Sequence, residues 1–139
     1  MTGGMRIGID LMGVPRFARI AAHERYRALL FTPTELAQAD GLAPQLYTQR
    51  LAGRFSAKEA VCKVLGRGFW QGLVWRDIEV TADHWGAPHV TLTGGARQVA
   101  ERLGVRHIAL TLTHQEDLVV AVAVASGYPE GGNDEDAAH

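Results

Sequence analysis

Glu59 and Lys63 stand four residues apart in the stretch Arg54-Phe55-Ser56-Ala57-Lys58-Glu59-Ala60-Val61-Cys62-Lys63-Val64-Leu65-Gly66-Arg67-Gly68. On a helix that spacing puts both side chains on one side, one turn apart. Two readings are open. One is a surface ion pair worth a few tenths of a kcal/mol; the other is a site. The surroundings bear on the choice. Ala57, Val61 and Val64 form one apolar stripe, and Leu51, Phe55 and Cys62 form a second. A helix apolar on two sides is mostly buried, and a carboxylate with an ammonium in the remaining gap is costly unless the pair binds something.

Asp10 is the third group, at the end of a short strand read over Arg6 to Asp10. A turn or cap aspartate and a ligand-binding carboxylate are both compatible with that position. Two carboxylates with open positions around them suit Mg²⁺, which keeps waters and accepts phosphate oxygens from a substrate. A nearby lysine can balance charge on a leaving or bridging phosphate. Gly66 and Gly68 allow a phosphate to approach main-chain N–H groups. The set points to phosphoryl-type transfer, in which positioning and charge stabilisation supply most of the catalysis. The chain has no Walker A lysine loop, no dinucleotide-binding glycine fingerprint and no Cys/His cluster for zinc. Of the six histidines, His114 is the most suggestive, because it closes a strand and opens the last hairpin turn. A lone histidine there is more often structural.

These residues need elements to hold them. In the first strand Ile7 and Ile9 face one way, Gly8 and Asp10 the other. Pro15 opens a helix expected from Arg16 to Leu30. It carries Arg16, Arg19, Arg25 and Arg27 with His23 against a single Glu24, which suits either a solvated face or an acidic partner. Thr32-Pro33-Thr34-Glu35 is a helix start with a capping box and a first-turn proline. Pro44 precedes the long helix, about Gln45 to Leu65. Val74 to Ala82 and His89 to Thr93 alternate around a turn at Asp83–Pro88, with Ile78, Val80, Val90 and Leu92 inward, and read as a hairpin. Ala96 to Leu103 is a helix stopped by Gly104. His107 to Thr113 and Leu118 to Ser126 form a second hairpin. Gly127 to His139 has the composition of a disordered tail. Tight returns imply antiparallel pairing, so the expected class is α+β: a mainly antiparallel sheet of about five strands with a helical block.

The bulk numbers agree with one domain. The chain has 139 residues, 47% of them hydrophobic, and a net charge of -1, so no global field points to nucleic acid or an anionic membrane. No apolar run approaches the roughly 20 residues of a membrane span, and the opening MTGGMRIGID lacks the long apolar run expected of a signal peptide. The single cysteine, Cys62, cannot form an internal disulfide; it reads as a small core residue in a reduced, cytoplasmic setting.

The opening IGIDLMGVPRF, the central RFSAKEAVCKVLGRG, the WRDIEV…GAP hairpin and the late LTLTH, taken in order, resemble the holo-acyl-carrier-protein synthases of the 4′-phosphopantetheinyl transferase superfamily. The likeness runs from Met5 to Ser126, and the central motif is its most specific part. It implies the single-copy form of that fold and transfer of the phosphopantetheine arm of coenzyme A to a serine of an apo acyl carrier protein, with release of adenosine 3′,5′-bisphosphate. It further implies that Asp10 and Glu59 ligate Mg²⁺, that Glu59 takes the serine proton directly or through water, and that Lys63 stabilises the bridging oxygen. Arg54, Gly66, Gly68, Pro88 and His114 match positions of the coenzyme A cleft, with Arg54 and His114 near the nucleotide phosphates. Arg16, Arg19 and Arg25 become docking residues for an acidic carrier. Short members of the family resemble homotrimers whose active sites lie between neighbours.

The sequence also departs from the family pattern. Gly13 replaces a customary glutamate three residues after the aspartate, Ala87 a lysine, Arg67 a small residue and Thr113 a serine. None of these removes an expected metal ligand. Carrier choice stays open between fatty-acid and polyketide types. A non-catalytic carrier-binding module and another Mg²⁺-dependent phosphotransferase are the competing functions.

Overall fold

Helix α4 (Pro44–Leu65) is the axis on which the other elements pack. Pro44 in its first turn has no N–H to leave unsatisfied, and Gly66 ends it in the left-handed region at φ 67°, returning its N–H to the last carbonyls. From Leu51 to Leu65 only Glu59 and Lys63 escape full burial, as the two apolar stripes predict. The computed structural model describes residues 4–66 and 73–127. Gly68, Arg67 and the tail from residue 128 lie outside them.

One face of α4 rests on a three-stranded antiparallel sheet of order β1-β5-β4: β1 (Arg6–Gly13), β5 (Leu118–Gly127) and β4 (Val105–Gln115). The approach is close because the strand residues beneath it are small. Gly8, Ala121, Ala123 and Ala125 are all buried. A Cβ on Gly8 would sit 2.0 Å from the Ala60 carbonyl oxygen, so only glycine fits. β1 runs three residues beyond the predicted end, pairing through Gly13↔Leu118. Asp10 therefore lies within the strand, opposite Ala121.

Alternation in β1 holds, but Ile7, Ile9 and Leu11 point away from α4 and are 66%, 56% and 62% exposed. Their partners Val124, Val122 and Val120 extend the same outward face.

The predicted helix from Arg16 to Leu30 is two helices, α1 (Val14–Ala21) and α2 (Glu24–Leu30), split at an extended His23. Arg27 turns back to donate to the Ala21 carbonyl at 2.7 Å, satisfying the broken end. Phe17 on α1 packs with Phe55 of α4 at 5.5 Å between centroids and with Phe31 edge-on at 6.1 Å.

The hairpin of β2 (Ile78–Ala82) and β3 (Pro88–Leu92) forms as predicted, preceded by a 3-10 turn over Trp75–Asp77 in place of strand. Asp77 is diverted from the ladder to accept from the Gly95 N–H, at 3.1 Å, at the start of α5 (Gly94–Leu103). Ile78 and Val80 are fully buried against α4 and α5.

Helix α3 (Pro33–Ala39) begins with the predicted capping box between Thr32 and Glu35. Glu35 does more than cap. Its Oε1 accepts from the Thr32 N–H at 2.8 Å and pairs with Lys58 Nζ at 2.8 Å, while Oε2 accepts from the Val80 N–H at 2.8 Å. Lys58 Nζ also donates to the Trp75 carbonyl at 3.0 Å and to the Ile78 carbonyl, so its three donors are used. Both side chains are fully buried. Burial lowers the lysine's hold on its proton, and the Glu35 carboxylate opposes that. Breaking such a pair leaves an uncompensated buried charge. Glu35→Ala is therefore expected to cost about 3–5 kcal/mol in urea unfolding, with Glu35→Leu/Lys58→Met recovering most of it. A cost below about 1 kcal/mol for Glu35→Ala would show that the pair does not hold the hairpin on α4.

Candidate active site

The close packing of α4 on β1 brings Asp10, Glu59 and Lys63 together. Lys63 Nζ donates to the Ile9 carbonyl at 2.7 Å and lies 3.6 Å from Asp10 Oδ1. The lysine side chain is 54% exposed and the aspartate 14%, so the pair sits at the edge of the packed region with its ammonium in reach of a ligand. Ser56, fully buried, donates to Asp10 Oδ2 at 2.8 Å. One carboxylate oxygen is thus held from below while the other faces Lys63.

Glu59 is half-buried, and its carboxyl is pushed above the ordinary range. Burial is the main cause; the Asp10 charge adds to it and Lys63 partly offsets it. A second carboxylate close enough to raise the first one's proton affinity makes a site that gains from a cation. Both donors are hard oxygens, which suits a divalent ion that keeps waters and binds phosphate. Among the described residues no group of three or more His, Cys, Asp or Glu gathers for a metal, so the two carboxylates would be the protein's share.

Gly66 ends the same helix one turn beyond Lys63, and Arg6 donates from Nε to the Val64 carbonyl at 2.7 Å beside it. Gly68 lies outside the described residues. Arg54 and His114 meet elsewhere, in a groove of about 300 Å³ that Gln49, Arg50 and Leu112 also line. Arg54 precedes Glu59 by five residues and so points roughly 140° away around the helix. Pro88 lies in a third place, a cleft of about 500 Å³ shared with Arg97, Arg106 and His107. Within one chain the predicted residues are therefore gathered in three locations. Arg16 and Arg19 are exposed on α1, and Arg25 on α2. Beside them is an apolar groove of about 400 Å³ lined by Ile20, Tyr26, Leu29 and Val74.

Sequence reasoning missed Ser56 and Arg6. For Ser56 there was a signal: a hydroxyl inside an otherwise apolar stretch of helix requires a partner. Arg6 carried none, because its contact depends on where the helix ends over the strand.

A two-layer α+β chain with this carboxylate–lysine cluster on the strand under its longest helix belongs to the 4′-phosphopantetheinyl transferase superfamily, whose sequence pattern matches residues 6–123. Among its relatives is a holo-[acyl-carrier-protein] synthase of Desulforudis audaxviator, 43% identical over 128 residues, covering 89% of this chain and 94% of that one. Holo-ACP-synthase from Plasmodium yoelii superposes with a TM-score of 0.76 at 31% identity, covering 89% of this chain and 98% of that one. An ACPS-CoA complex from Chronobacterium ammoniagenes superposes with a TM-score of 0.75 at 27% identity over 89% of this chain and 98% of that one.

The electrostatics give a direct test. The Glu59 carboxyl, followed by side-chain carbon NMR without metal, is expected to titrate above the 4.5 of an ordinary glutamate. Asp10→Asn should move its midpoint down and Lys63→Met should move it up. In the folded state ionisation of Glu59 is disfavoured, so this group's penalty on stability is relieved as pH falls through the raised midpoint. An unmoved midpoint in both variants would mean that the three groups do not sense one another.

Proposed function

We propose that this chain transfers the 4′-phosphopantetheine arm of coenzyme A to a serine of an apo acyl carrier protein. The observation that carries the reading is the Asp10–Glu59–Lys63 cluster, in a chain of this superfamily whose relatives are named for that reaction.

In this reading Asp10 and Glu59 hold Mg²⁺, which supplies charge neutralisation on the pyrophosphate of coenzyme A. Ser56 keeps Asp10 in place. Glu59 takes the proton of the carrier serine, directly or through water. The serine oxygen forms a bond to the phosphorus that bears the pantetheine, and the bond from that phosphorus to the bridging oxygen breaks. Lys63 stabilises the negative charge that appears on this oxygen, and adenosine 3′,5′-bisphosphate departs. Gly66 lets the coenzyme come close to the main chain at the end of α4, Pro88 borders its nucleotide, and Arg54 and His114 meet its phosphates.

Arg16, Arg19 and Arg25 form the docking surface for an acidic carrier, fatty-acid or polyketide in type, and the neighbouring apolar groove receives its less polar contacts. The outward β1 face of Ile7, Ile9 and Leu11 is the surface on which copies of the chain associate, as a homotrimer. That arrangement accounts for the separation of the predicted residues on one chain: the carboxylates of one copy and the Arg54–His114 groove of a neighbour border one cleft. No helix among the described residues is long and apolar enough to cross a membrane, and the lone buried thiol Cys62, its pKa pushed up to about 12 mainly by burial, suits a reduced cytoplasm.

Intact-mass analysis of apo carrier incubated with the chain, coenzyme A and Mg²⁺ should show the phosphopantetheine adduct. Glu59→Gln is expected to lower the transfer rate by about 10²-fold or more, with its unfolding midpoint retained. Adduct formation at the wild-type rate would remove Glu59 from its assigned role. Arg19→Glu should raise the carrier KM by about tenfold and leave that for coenzyme A within about twofold. Equal effects on the two substrates would place the carrier elsewhere.

A further inference from the structure

Ser56 is fully buried on α4, with Ala52, Phe55, Ala57 and Ala60 around it on the helix, all buried as well. Its hydroxyl adds nothing to that packing. It lies 2.8 Å from Asp10 Oδ2 and 3.3 Å from the Asp10 carbonyl. A hydroxyl has one proton to give, and the shorter contact, to the carboxylate, takes it.

Asp10 is thereby held by one oxygen only. Its other oxygen, Oδ1, lies 3.6 Å from Lys63 Nζ, outside hydrogen-bond range, and Lys63 donates instead to the Ile9 carbonyl at 2.7 Å. The protein engages Oδ2, and Oδ1 is the oxygen left for a ligand. The aspartate side chain is mostly buried on β1, opposite the fully buried Ala121.

That asymmetry bears on the choice of cation. Mg²⁺ takes single oxygens at short range in an octahedron and keeps its remaining waters, so a carboxylate that offers one oxygen suits it. Ca²⁺ is larger, takes roughly six to eight oxygens and gains from carboxylates that chelate with both of theirs. The terminal torsion of an aspartate is soft, and an untethered one turns readily to present both oxygens. Turning Asp10 breaks its bond from Ser56 and leaves a buried hydroxyl unpaired.

We infer that Ser56 is a positioning residue that makes Asp10 a one-oxygen ligand and so sets a preference of the site for Mg²⁺ over Ca²⁺. The inference rests on the proposed role of Asp10 and Glu59 as ligands and adds the residue that chooses between divalent ions. Ser56 acts through Asp10 rather than on the ion itself.

The test is competition for Mn²⁺ on the full chain without coenzyme A or carrier, read from the electron paramagnetic resonance signal of the free ion. Mg²⁺ and Ca²⁺ are each titrated against Mn²⁺ for wild type, Ser56→Ala and Ser56→Cys. Wild type should take Mg²⁺ about tenfold more tightly than Ca²⁺. Ser56→Ala should weaken Mg²⁺ by about tenfold and leave Ca²⁺ unchanged or tighter, which brings the ratio to about one. Ser56→Cys, a weaker donor of similar size, should fall between. A wild type without preference, an unchanged ratio in Ser56→Ala, or an equal loss of both ions, as general damage to the site gives, would overturn the assignment. Urea unfolding shows whether Ser56→Ala keeps its fold; if it does not, the Ser56→Cys ratio decides by the same criteria. Carrier loading by wild type with coenzyme A and Mg²⁺, run in parallel, separates this inference from the function. Loading with an unchanged Ser56→Ala ratio removes only the role of Ser56. The expected ratios without loading remove the transferase and keep the cation site. A wild type that takes up no Mn²⁺ overturns the inference, and without loading the function as well.

Discussion

The contact between Gly8 and the Ala60 carbonyl sets the geometry of the site. No side chain fits at Gly8, since its first carbon would fall 2.0 Å from that oxygen. With glycine there, α4 lies directly on β1, and the next outlying residues on each element, Asp10 and Lys63, come within 3.6 Å. Ser56 reaches Asp10 from the same helix. The Asp10–Glu59–Lys63 cluster is thus a by-product of close helix–strand packing, and small residues along β5 extend the contact. A fold that held the helix a methyl group further away would lose both the hydrogen bond from Ser56 and the lysine contact.

The same helix carries two lysines with opposite fates. Lys58 is sealed between Glu35 and two carbonyls and fastens α3 and the β2–β3 hairpin to α4. Lys63, five residues on, keeps its ammonium at the surface. One charge specifies the packing and the other remains available to a substrate. Arg54 belongs to neither group: it is buried like Lys58, but among the described residues its Nε–H has no hydrogen-bond partner. A buried cation with an unused donor carries a standing cost that an anionic ligand removes.

Much of this was legible in the sequence because it rests on periodicity and local chemistry. The stripes of Ala57, Val61 and Val64 and of Leu51, Phe55 and Cys62 foretold a buried helix, and the Thr32–Glu35 capping box and both hairpins formed as read. The misses are tertiary. Glu35 looked complete as a cap, and nothing local announced that its second oxygen would meet Val80. The break at His23 has no proline or glycine to mark it; it depends on Arg27 reaching back to Ala21. Alternation showed that Ile7 and Ile9 share a face, but not that the face is open, because Gly8 and not the isoleucines lies under α4. The grouping of Asp10 with Glu59 came from the family resemblance and from chemical reasoning; in the structure the Asp10 charge helps to raise the Glu59 carboxyl's proton affinity. The distance between that cluster and Arg54 could not be read from a linear motif that places Arg54 and Glu59 five residues apart.

The central claim is that one donor molecule is held by the Asp10–Glu59–Lys63 cluster of one copy and the Arg54–His114 groove of another. Mixing two inactive chains tests this most directly. Glu59→Gln and Arg54→Gln are unfolded together, refolded at equal amounts and assayed for carrier loading by intact mass. If sites are shared between copies, random assembly regenerates about a quarter of them with both wild-type halves, and loading returns to about that fraction of the wild-type rate. Loading that stays at the level of the separate variants, in a mixture shown to have exchanged subunits, would contradict the claim.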